Sequence, residues 1–343
     1  MELKKGLVSV IMCNYNTPEE YLRTAIESIL NQTYSNLEFI IVDDCSTDGS
    51  TEIIKSYTDS RIVLLENKDN LGLTKSLNIA LNQSNGEYIA RMDSDDYSFP
   101  HRIEKQVAYL SNHPRCILCG TGIELFGSGA NNHRQKIVIK KLPEREEWKI
   151  WQLFGNHRNI IHPTAMFNNI LLRKFGIQYN ENFIYAQDYR IWIDCNKAAE
   201  CFSMNEVLFK YRIHDGAISS FKKDIQDDCA KRIMQEQLSW LGLKLPHNWD
   251  IIHEGFFDGR KEYSLSQKKW IRSIIAANKK YNIYNQKMLE KMVWSKWAET
   301  TYFKLFQSSS KEKIKALFNL PVKYWKELYN IKRMRTKKEK ENG

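Results

Sequence analysis

Four short, mostly apolar runs divide the first hundred residues of the chain, and the first of them is rich in β-branched residues. They occupy positions 8–12, 39–42, 61–65 and 87–92, and apolar residues at helical spacing separate each run from the next. Near-continuous apolar runs of this length are typical of strands buried on both faces, as in a parallel sheet. Strands that alternate with helices form βαβ units. The pattern therefore predicts an α/β fold with a mostly parallel sheet flanked by helices.

The helix after the first run has the clearest predicted start. We expect Thr17 to cap this helix and Pro18 to occupy its first turn. Glu19 and Glu20 follow, where the positive end of the helix dipole favours acidic side chains.

Polar loops follow three of the predicted strands, at 13–16, 43–48 and 93–96. Because the carboxyl ends of parallel strands meet at one edge of a sheet, we expect these loops to converge. Asn, Asp and Ser are also ordinary turn residues, so each loop taken alone has a structural explanation. The first strand is followed neither by Gly-x-Gly-x-x-Gly nor by Gly-x-x-x-x-Gly-Lys-Ser/Thr. A nucleotide bound at this edge would therefore be held by side chains and a metal ion.

The loop at 93–96 is unusually acidic. Asp93, Asp95 and Asp96 place three carboxylates in four positions, directly after the fourth apolar run. Carboxylates this close raise one another's pKa unless a cation lies between them. Mg²⁺ and Mn²⁺ bind to one or two carboxylates together with substrate phosphates. The turn therefore predicts a metal–diphosphate site, and the alternative is a solvated acidic turn before the helix that begins near Pro100.

Cysteine usage and hydropathy indicate the compartment. The seven cysteines are scattered, which favours a reducing environment over a disulfide framework. We find no run of about 18 apolar residues and no apolar signal-peptide core at the N-terminus. A cytoplasmic protein is therefore predicted. Cys116 and Cys119 are expected in the core, since no second pair supplies further zinc ligands.

The net charge of +10 is concentrated near the C-terminus, where 311–343 holds eleven basic and four acidic residues. Such a region attracts a polyanion. The apolar residues at 314–328 lie among lysines and suit either an interfacial helix on an anionic membrane or an ordinary packed helix. The final residues, 331–343, are predicted to form a basic disordered tail.

The order of the motifs resembles that of the family 2 glycosyltransferases with the GT-A fold, which build bacterial capsule, O-antigen and related polysaccharides. The similarity is carried by 8–16, 31–33, 41–50, 70–73 and 93–96, and it covers about the first two-thirds of the chain. It implies a Rossmann-like GT-A domain and the metal-assisted, inverting transfer of a hexose or N-acetylhexosamine. The donor would be a nucleoside-diphosphate sugar, most simply a UDP-sugar, with Mn²⁺ or Mg²⁺ as cofactor. The acceptor would be a glycan or glycolipid, such as a growing lipid-linked polysaccharide.

The resemblance also implies residue roles. Asp44 would contact the uracil base, while Cys13 and Tyr15 would line the nucleoside pocket. Further implied positions are Lys75, Asp93 and Ser94 on the donor, Asp95, Asp93, Asp96 and His214 on the metal, Arg212 on phosphate, His162 beside the acceptor, and Asp188 as the catalytic base. Lys75 is at least as well explained as an ordinary exposed lysine on a helix, and a lone histidine such as His162 is more often structural.

Asp188 begins an amphipathic helix, so its alternative role is a helix-capping or first-turn acid. The family has a Glu-Asp pair at this point, whereas this chain has Gln187 before Asp188. The substitution keeps the base and removes the neighbouring acid.

The resemblance divides the chain into a GT-A catalytic domain over 1–222, a helical region over 223–330 and the tail. Residues 1–100 would form the nucleotide-sugar-binding half and 101–222 the acceptor half. A peripheral position on the inner face of the cell membrane is predicted from the basic, aromatic C-terminal region. Two rival classes are a metal-dependent nucleotidyltransferase, which would carry a basic phosphate loop, and a basic nucleic-acid-binding protein. The absence of that loop and of any recognition motif among the basic residues disfavours both, so no nucleic-acid partner is predicted.

Overall fold

The computed structural model describes residues 2–127, 137–155, 159–214, 223–250, 252–253 and 265–307. The strands are β1 (Lys4–Asn14), β2 (Leu37–Asp43), β3 (Ile62–Glu66), β4 (Gly86–Asp93), β5 (Tyr97–Ser98), β6 (Cys116–Phe126), β7 (Ile137–Val138), β8 (Met166–Asn168) and β9 (Glu200–Arg212). The helices are α1 (Glu19–Leu30), α2 (Ser50–Lys55), α3 (Leu73–Gln83), α4 (Arg102–Asn112), α5 (Arg145–Leu153), α6 (Asn169–Phe175), α7 (Gln187–Ala198), α8 (Lys223–Trp240), α9 (Leu265–Tyr281) and α10 (Gln286–Gln307).

These strands form one sheet in the order β3–β2–β1–β4–β8–β6–β9–β5, and β7 pairs with β6 outside this order. The neighbours from β3 to β4 are all parallel, and β6 is parallel to β9. β8 lies antiparallel between β4 and β6. The four apolar runs lie in β1 to β4, so the predicted α/β fold with a mostly parallel sheet is confirmed.

The register of β1 brings the polar loops together. Cys13 pairs with Val42 of β2 and with Asp93 of β4, and Asn14 pairs with Asp43. The three strands therefore end side by side, and the predicted convergence of their loops is confirmed. Buried side chains of β1 and α1 hold this edge in place, among them Val10, Met12 and Ile26.

The predicted cap of α1 is wrong by one residue. The N-cap is Pro18, which makes no side-chain capping hydrogen bond, and the helix begins at Glu19. The hydroxyl of Thr17 forms a hydrogen bond of 2.7 Å with the hydroxyl of Ser94 instead. The extended backbone at Pro18, with ψ of 137°, delays the first helical turn and leaves Thr17 to contact the acidic loop.

The described residues belong to two compact units. The first lies within 1–145 and 158–230 and contains the sheet, and the second lies within 146–157 and 231–343. The second unit includes most of α5, a segment that the sequence places in the acceptor half. The predicted functional halves stay predictions, and 314–328 and 331–343 lie outside the described residues.

The second unit is helical, as predicted for the region after 223. Its core includes Leu153 from α5, Ile271 and Ile274 from α9, and Leu289 and Val293 from α10. Trp148 of α5 is also buried. Among the described helices, none is both long enough and apolar enough to cross a membrane.

His253 is fully buried in the second unit and is held in one tautomer. Its Nε2 lies 2.8 Å from the carbonyl oxygen of Leu153, and its Nδ1 accepts a hydrogen bond of 3.1 Å from Nε1–H of Trp270. Nε2 therefore carries the proton. Burial lowers the pKa of His253 from 6.5 to about 4, although the bond to Leu153 opposes this.

We expect acid to destabilise the second unit through His253. The unfolded chain binds a proton below pH 6.5, whereas the folded protein resists protonation until about pH 4, so stability is lost as the pH falls between these values. The maximum loss is about 3 kcal/mol. Tryptophan fluorescence in urea measures it, since all nine tryptophans except Trp192 lie in the sequence ranges of the second unit. His253→Gln should lose this part of the pH dependence, and an unchanged pH profile would refute the assignment.

Candidate functional site

The acidic turn lies between β4 and β5 at the edge where the polar loops converge. Carboxylate oxygens of Asp93, Asp95 and Asp96 all lie within 4.8 Å of one another. Burial raises the pKa of Asp96 well above its usual range, and the charges of Asp93 and Asp95 add to the shift. Burial also raises the pKa of Asp93, against the opposing charge of Arg91. The cluster is thus the close, desolvated carboxylate set that a divalent cation stabilises.

Arg91 is a site residue that the sequence analysis missed. Its guanidinium faces both carboxylate oxygens of Asp93: Nη1 donates to Oδ2 over 2.5 Å, and Nη2 forms an ion pair with Oδ1. The Arg91 side chain is only 3% exposed. A charged residue inside an apolar run, two positions before Asp93 and so on the same strand face, was the available signal. Asp93 is therefore already neutralised by the protein.

Asp95 and Asp96 are held by the end of β9. His214 Nε2 lies 2.9 Å from Asp95 Oδ2, and the backbone N–H of Arg212 donates to Asp96 Oδ1 over 2.7 Å. Nε of Arg212 donates to the backbone carbonyl of Asp95 over 2.6 Å. The other oxygen of Asp96, Oδ2, is buried without a hydrogen bond among the described residues. This orphaned oxygen beside the Asp95–His214 pair fits a cation ligand set.

Asp44 organises the loop at 67–72. Its Oδ1 accepts hydrogen bonds from Asn67, Ser76 and the backbone N–H of Leu71, and its Oδ2 accepts one of 2.8 Å from the N–H of Gly72. The sequence analysis gave no signal for these partners. With one bond to Oδ2, this carboxylate oxygen keeps a further acceptor position, as contact with a base would require. The carboxylate of Asp43 is buried and accepts four hydrogen bonds from described residues.

The other residues predicted to bind the donor differ in their burial and contacts. Cys13 is partly buried at the end of β1, and burial raises the pKa of its thiol, which stays protonated at neutral pH. Tyr15 is 51% exposed in the loop that follows. Ser94 contacts Thr17. Lys75 is exposed on α3 and makes no polar contact among the described residues.

His162 lies in a short 3₁₀ helix before β8 and contacts Tyr179. Its Nε2 lies 2.8 Å from the Tyr179 hydroxyl, and its ring packs edge-on against Trp192 of α7. Burial lowers the pKa of His162 well below its usual value, and Arg91 adds to the shift, so the imidazole is neutral. Sequence reasoning missed Tyr179 because it lies in a polar loop without a recognisable motif.

Asp188 is the second residue of α7, and its Oδ1 accepts a hydrogen bond of 2.7 Å from the N–H of Tyr189. It is partly exposed, whereas Gln187 is buried. Burial raises the pKa of the Tyr179 hydroxyl, with Arg91 opposing the shift and Asp188 adding to it.

Comparisons with known proteins agree with this architecture. Residues 9–177 match the family described as "Glycosyl transferase family 2". The chain is 51% identical over 211 residues to EpsE of Bacillus subtilis (strain 168), which bears the name of a glycosyltransferase, and this match covers 60% of the chain and 72% of EpsE. It is 31% identical over 218 residues to WfaP of Escherichia coli, named as a UDP-Glc:alpha-D-GlcNAc-diphosphoundecaprenol beta-1,3-glucosyltransferase, with coverage of 63% and 81%.

A solved structure shows the same fold. TarS 1–349 of S. aureus, crystallised in complex with UDP-GlcNAc, superposes with a TM-score of 0.57 at 20% identity. The superposition covers 90% of this chain and 88% of TarS 1–349. At this identity the similarity concerns the fold, which places the acidic turn at the edge of a GT-A sheet.

Proposed function

This chain belongs to glycosyl transferase family 2, and we propose that it is an inverting enzyme that moves a sugar from a UDP-sugar to a hydroxyl of a growing, lipid-linked polysaccharide. The observation that carries the proposal is the pairing of Asp95 with His214 beside the orphaned oxygen of Asp96. This set lies at the same sheet edge as Asp44 and Cys13, the positions implied for the nucleoside.

We propose that Asp95, Asp96 and His214 would hold a divalent ion, with Asp95 as the principal ligand. Asp93 contributes mainly through its pair with Arg91, since both of its oxygens are engaged there. A neutral imidazole suits Mn²⁺ better than Mg²⁺, so Mn²⁺ is the preferred cofactor and Mg²⁺ the alternative. A bound ion supplies Lewis-acid neutralisation of the diphosphate leaving group.

The donor would lie across the ends of β1, β2 and β4. We assign the uracil contact to Asp44 and the nucleoside walls to Cys13 and Tyr15. Ser94 is placed at the donor through its position in the turn, and Lys75 is kept as an outer candidate because its side chain is exposed. Nε of Arg212 is already used on the turn, so only its terminal nitrogens are available to phosphate.

Asp188 would act as general base. In the proposed step the acceptor oxygen forms a bond to the anomeric carbon while the bond from that carbon to the diphosphate breaks. The hydroxyl proton passes to the Asp188 carboxylate. Attack from the face opposite the leaving group inverts the anomeric configuration, by the logic known for inverting glycosidases. His162 and Tyr179 would border the acceptor.

The proposed acceptor and location rest on the name of a relative and on the composition of 311–343, which lies outside the described residues. The name of WfaP specifies a lipid-diphosphate acceptor, and the excess of basic residues in 311–343 would attract an anionic membrane surface. We therefore propose a cytoplasmic enzyme peripheral to the inner face of the membrane. Nucleic acid plays no part in this proposal.

Thermal unfolding with UDP and Mn²⁺ tests the proposal. At a ligand concentration about 100 times Kd, binding stabilises the folded state by about 2.7 kcal/mol, which corresponds to a rise in Tm of about 5 to 10 °C. UDP with a chelator and Mn²⁺ alone are the controls and should produce smaller shifts. Equal Tm values with and without the UDP–Mn²⁺ pair would refute the proposed function.

A further inference from the structure

Arg212 forms close cation–ring contacts with two aromatic side chains. Its guanidinium carbon lies 3.8 Å from the ring centroid of Tyr21 on α1 and 4.3 Å from that of Phe126 at the end of β6. Arg212 is 9% exposed and forms no salt bridge with a carboxylate in the described part of the chain. With both rings this close to the guanidinium carbon, the cation–ring contacts restrict the orientation of the guanidinium. We call Tyr21, Phe126 and Arg212 the arginine clasp.

The arginine clasp reaches the acidic turn through two donors of one residue. Nε of Arg212 donates to the Asp95 carbonyl, and the Arg212 backbone N–H donates to the Asp96 carboxylate. The ring of Tyr21 also packs against that of His214 at 5.8 Å between centroids. Tyr21 thus contacts both Arg212, the last residue of β9, and His214, two residues further on. These are the two residues that hold Asp95.

Gly127 allows the backbone after β6 to pass close to Arg212 and Ile213. Its φ of +105° lies in the region that favours glycine. A Cβ at this position would lie 2.7 Å from the carbonyl oxygen of Ile213 and 3.1 Å from Cγ of Arg212. The N–H of Ile213 donates to the carbonyl of Phe126 over 2.7 Å. The end of β6 is therefore pressed against the segment from Arg212 to His214.

We infer that the arginine clasp sets the affinity of the acidic turn for its metal ion, and that Tyr21 is a positioning residue acting through Arg212 and His214. This inference rests on the proposed function, because it concerns the ion site assigned there. Tyr21 makes no hydrogen bond to the turn. Its contribution is to keep the guanidinium plane and the His214 imidazole in the orientation that aims Asp95 and Asp96 at one point.

The test is direct Mn²⁺ titration of the full chain by electron paramagnetic resonance, with and without UDP. Tyr21→Leu removes one of the two rings, and we expect the half-saturating Mn²⁺ concentration to rise on the order of tenfold. Tyr21→Phe keeps the ring and should stay within about twofold of the wild type. Tyr57→Leu is the matched control, because Tyr57 also has an arginine over its ring, with the guanidinium carbon of Arg23 5.8 Å from the ring centroid. It should leave Mn²⁺ binding unchanged.

Phe126→Leu removes the second ring in contact with Arg212 and provides an independent variant if Tyr21→Leu does not fold. A purely structural role would lower Tm without changing the Mn²⁺ affinity of the folded fraction, and that result in both variants would overturn the inference. Equal damage from Tyr21→Phe and Tyr21→Leu would also overturn it, since the hydroxyl would then matter and not the cation–ring contact. If the wild type binds no Mn²⁺ with UDP, the proposed function fails first and the inference with it.

Discussion

The Asp188→Asn variant is expected to bind the donor normally while its turnover falls by about 10²- to 10⁴-fold. Asparagine keeps the size of the side chain and can still accept the N–H of Tyr189, but it cannot take a proton from the acceptor hydroxyl. Steady-state release of UDP gives kcat, and equilibrium titration with UDP and Mn²⁺ gives donor affinity. A fall in kcat with unchanged donor affinity indicates loss of the base, whereas a fall in both indicates loss of the fold.

Asp194→Asn is the matched control for this variant. Asp194 lies on the same helix, α7, where it pairs with Arg190 over 2.9 Å. If Asp188 is only a first-turn acid, its replacement should cost about 1 kcal/mol of stability or less and leave turnover intact, as for Asp194. Near-normal turnover of Asp188→Asn would remove the base assignment.

Asp95→Asn should shift the dependence of UDP binding on Mn²⁺ to much higher Mn²⁺ concentrations. Replacing an anionic ligand by a neutral amide weakens coordination directly, so the half-saturating Mn²⁺ concentration should rise about 100-fold or more. The replacement would also remove the carboxylate charge that faces the His214 imidazole. Isothermal titration of UDP at several Mn²⁺ concentrations measures the change.

Asp227→Asn, an exposed position on α8, is the control and should titrate like the wild type. If Asp95→Asn binds UDP with unchanged Mn²⁺ dependence, Asp95 is not the principal ligand. The acidic turn would then be the solvated structural turn that its short motif alone also allows.

The fold followed from the sequence because its signals are local. The run at 39–42 is apolar over its whole length and the run at 8–12 is apolar except for Ser9, as expected for parallel strands with both faces covered. The convergence of Asn14, Asp43 and Asp93 then follows from parallel pairing alone. The acidic turn could be located for the same reason, as it continues a strand whose direction was already determined.

The supports of the site could not be predicted, because they join distant parts of the chain. Tyr21 and Phe126 meet Arg212 from two other elements, and their sequence neighbourhoods resemble any amphipathic helix or strand. Arg91 was visible as a charge in a strand, but its partner could have been any nearby carboxylate. Thr17 was predicted as a cap because capping is the common local use of its hydroxyl, and the contact with Ser94 replaced it.

The sequence also does not show to which of the two units α5 belongs. It is an amphipathic helix with Trp148 on its buried face. The helix packs with residues beyond 231, as in the bond from Gln237 to the carbonyl of Gln152. Amphipathic periodicity shows which face of a helix is buried but does not show which partner covers it.

The most direct measurement of the central claim is proton NMR of the chain with a panel of UDP-sugars and Mn²⁺. The panel should contain α-linked UDP-glucose, UDP-galactose and their N-acetyl forms, with water as the acceptor. The proposed mechanism predicts that at least one donor releases UDP only when Mn²⁺ is present, and that the sugar first appears as the β anomer. Release of the α anomer, or no Mn²⁺-dependent release of UDP from any donor, would contradict it.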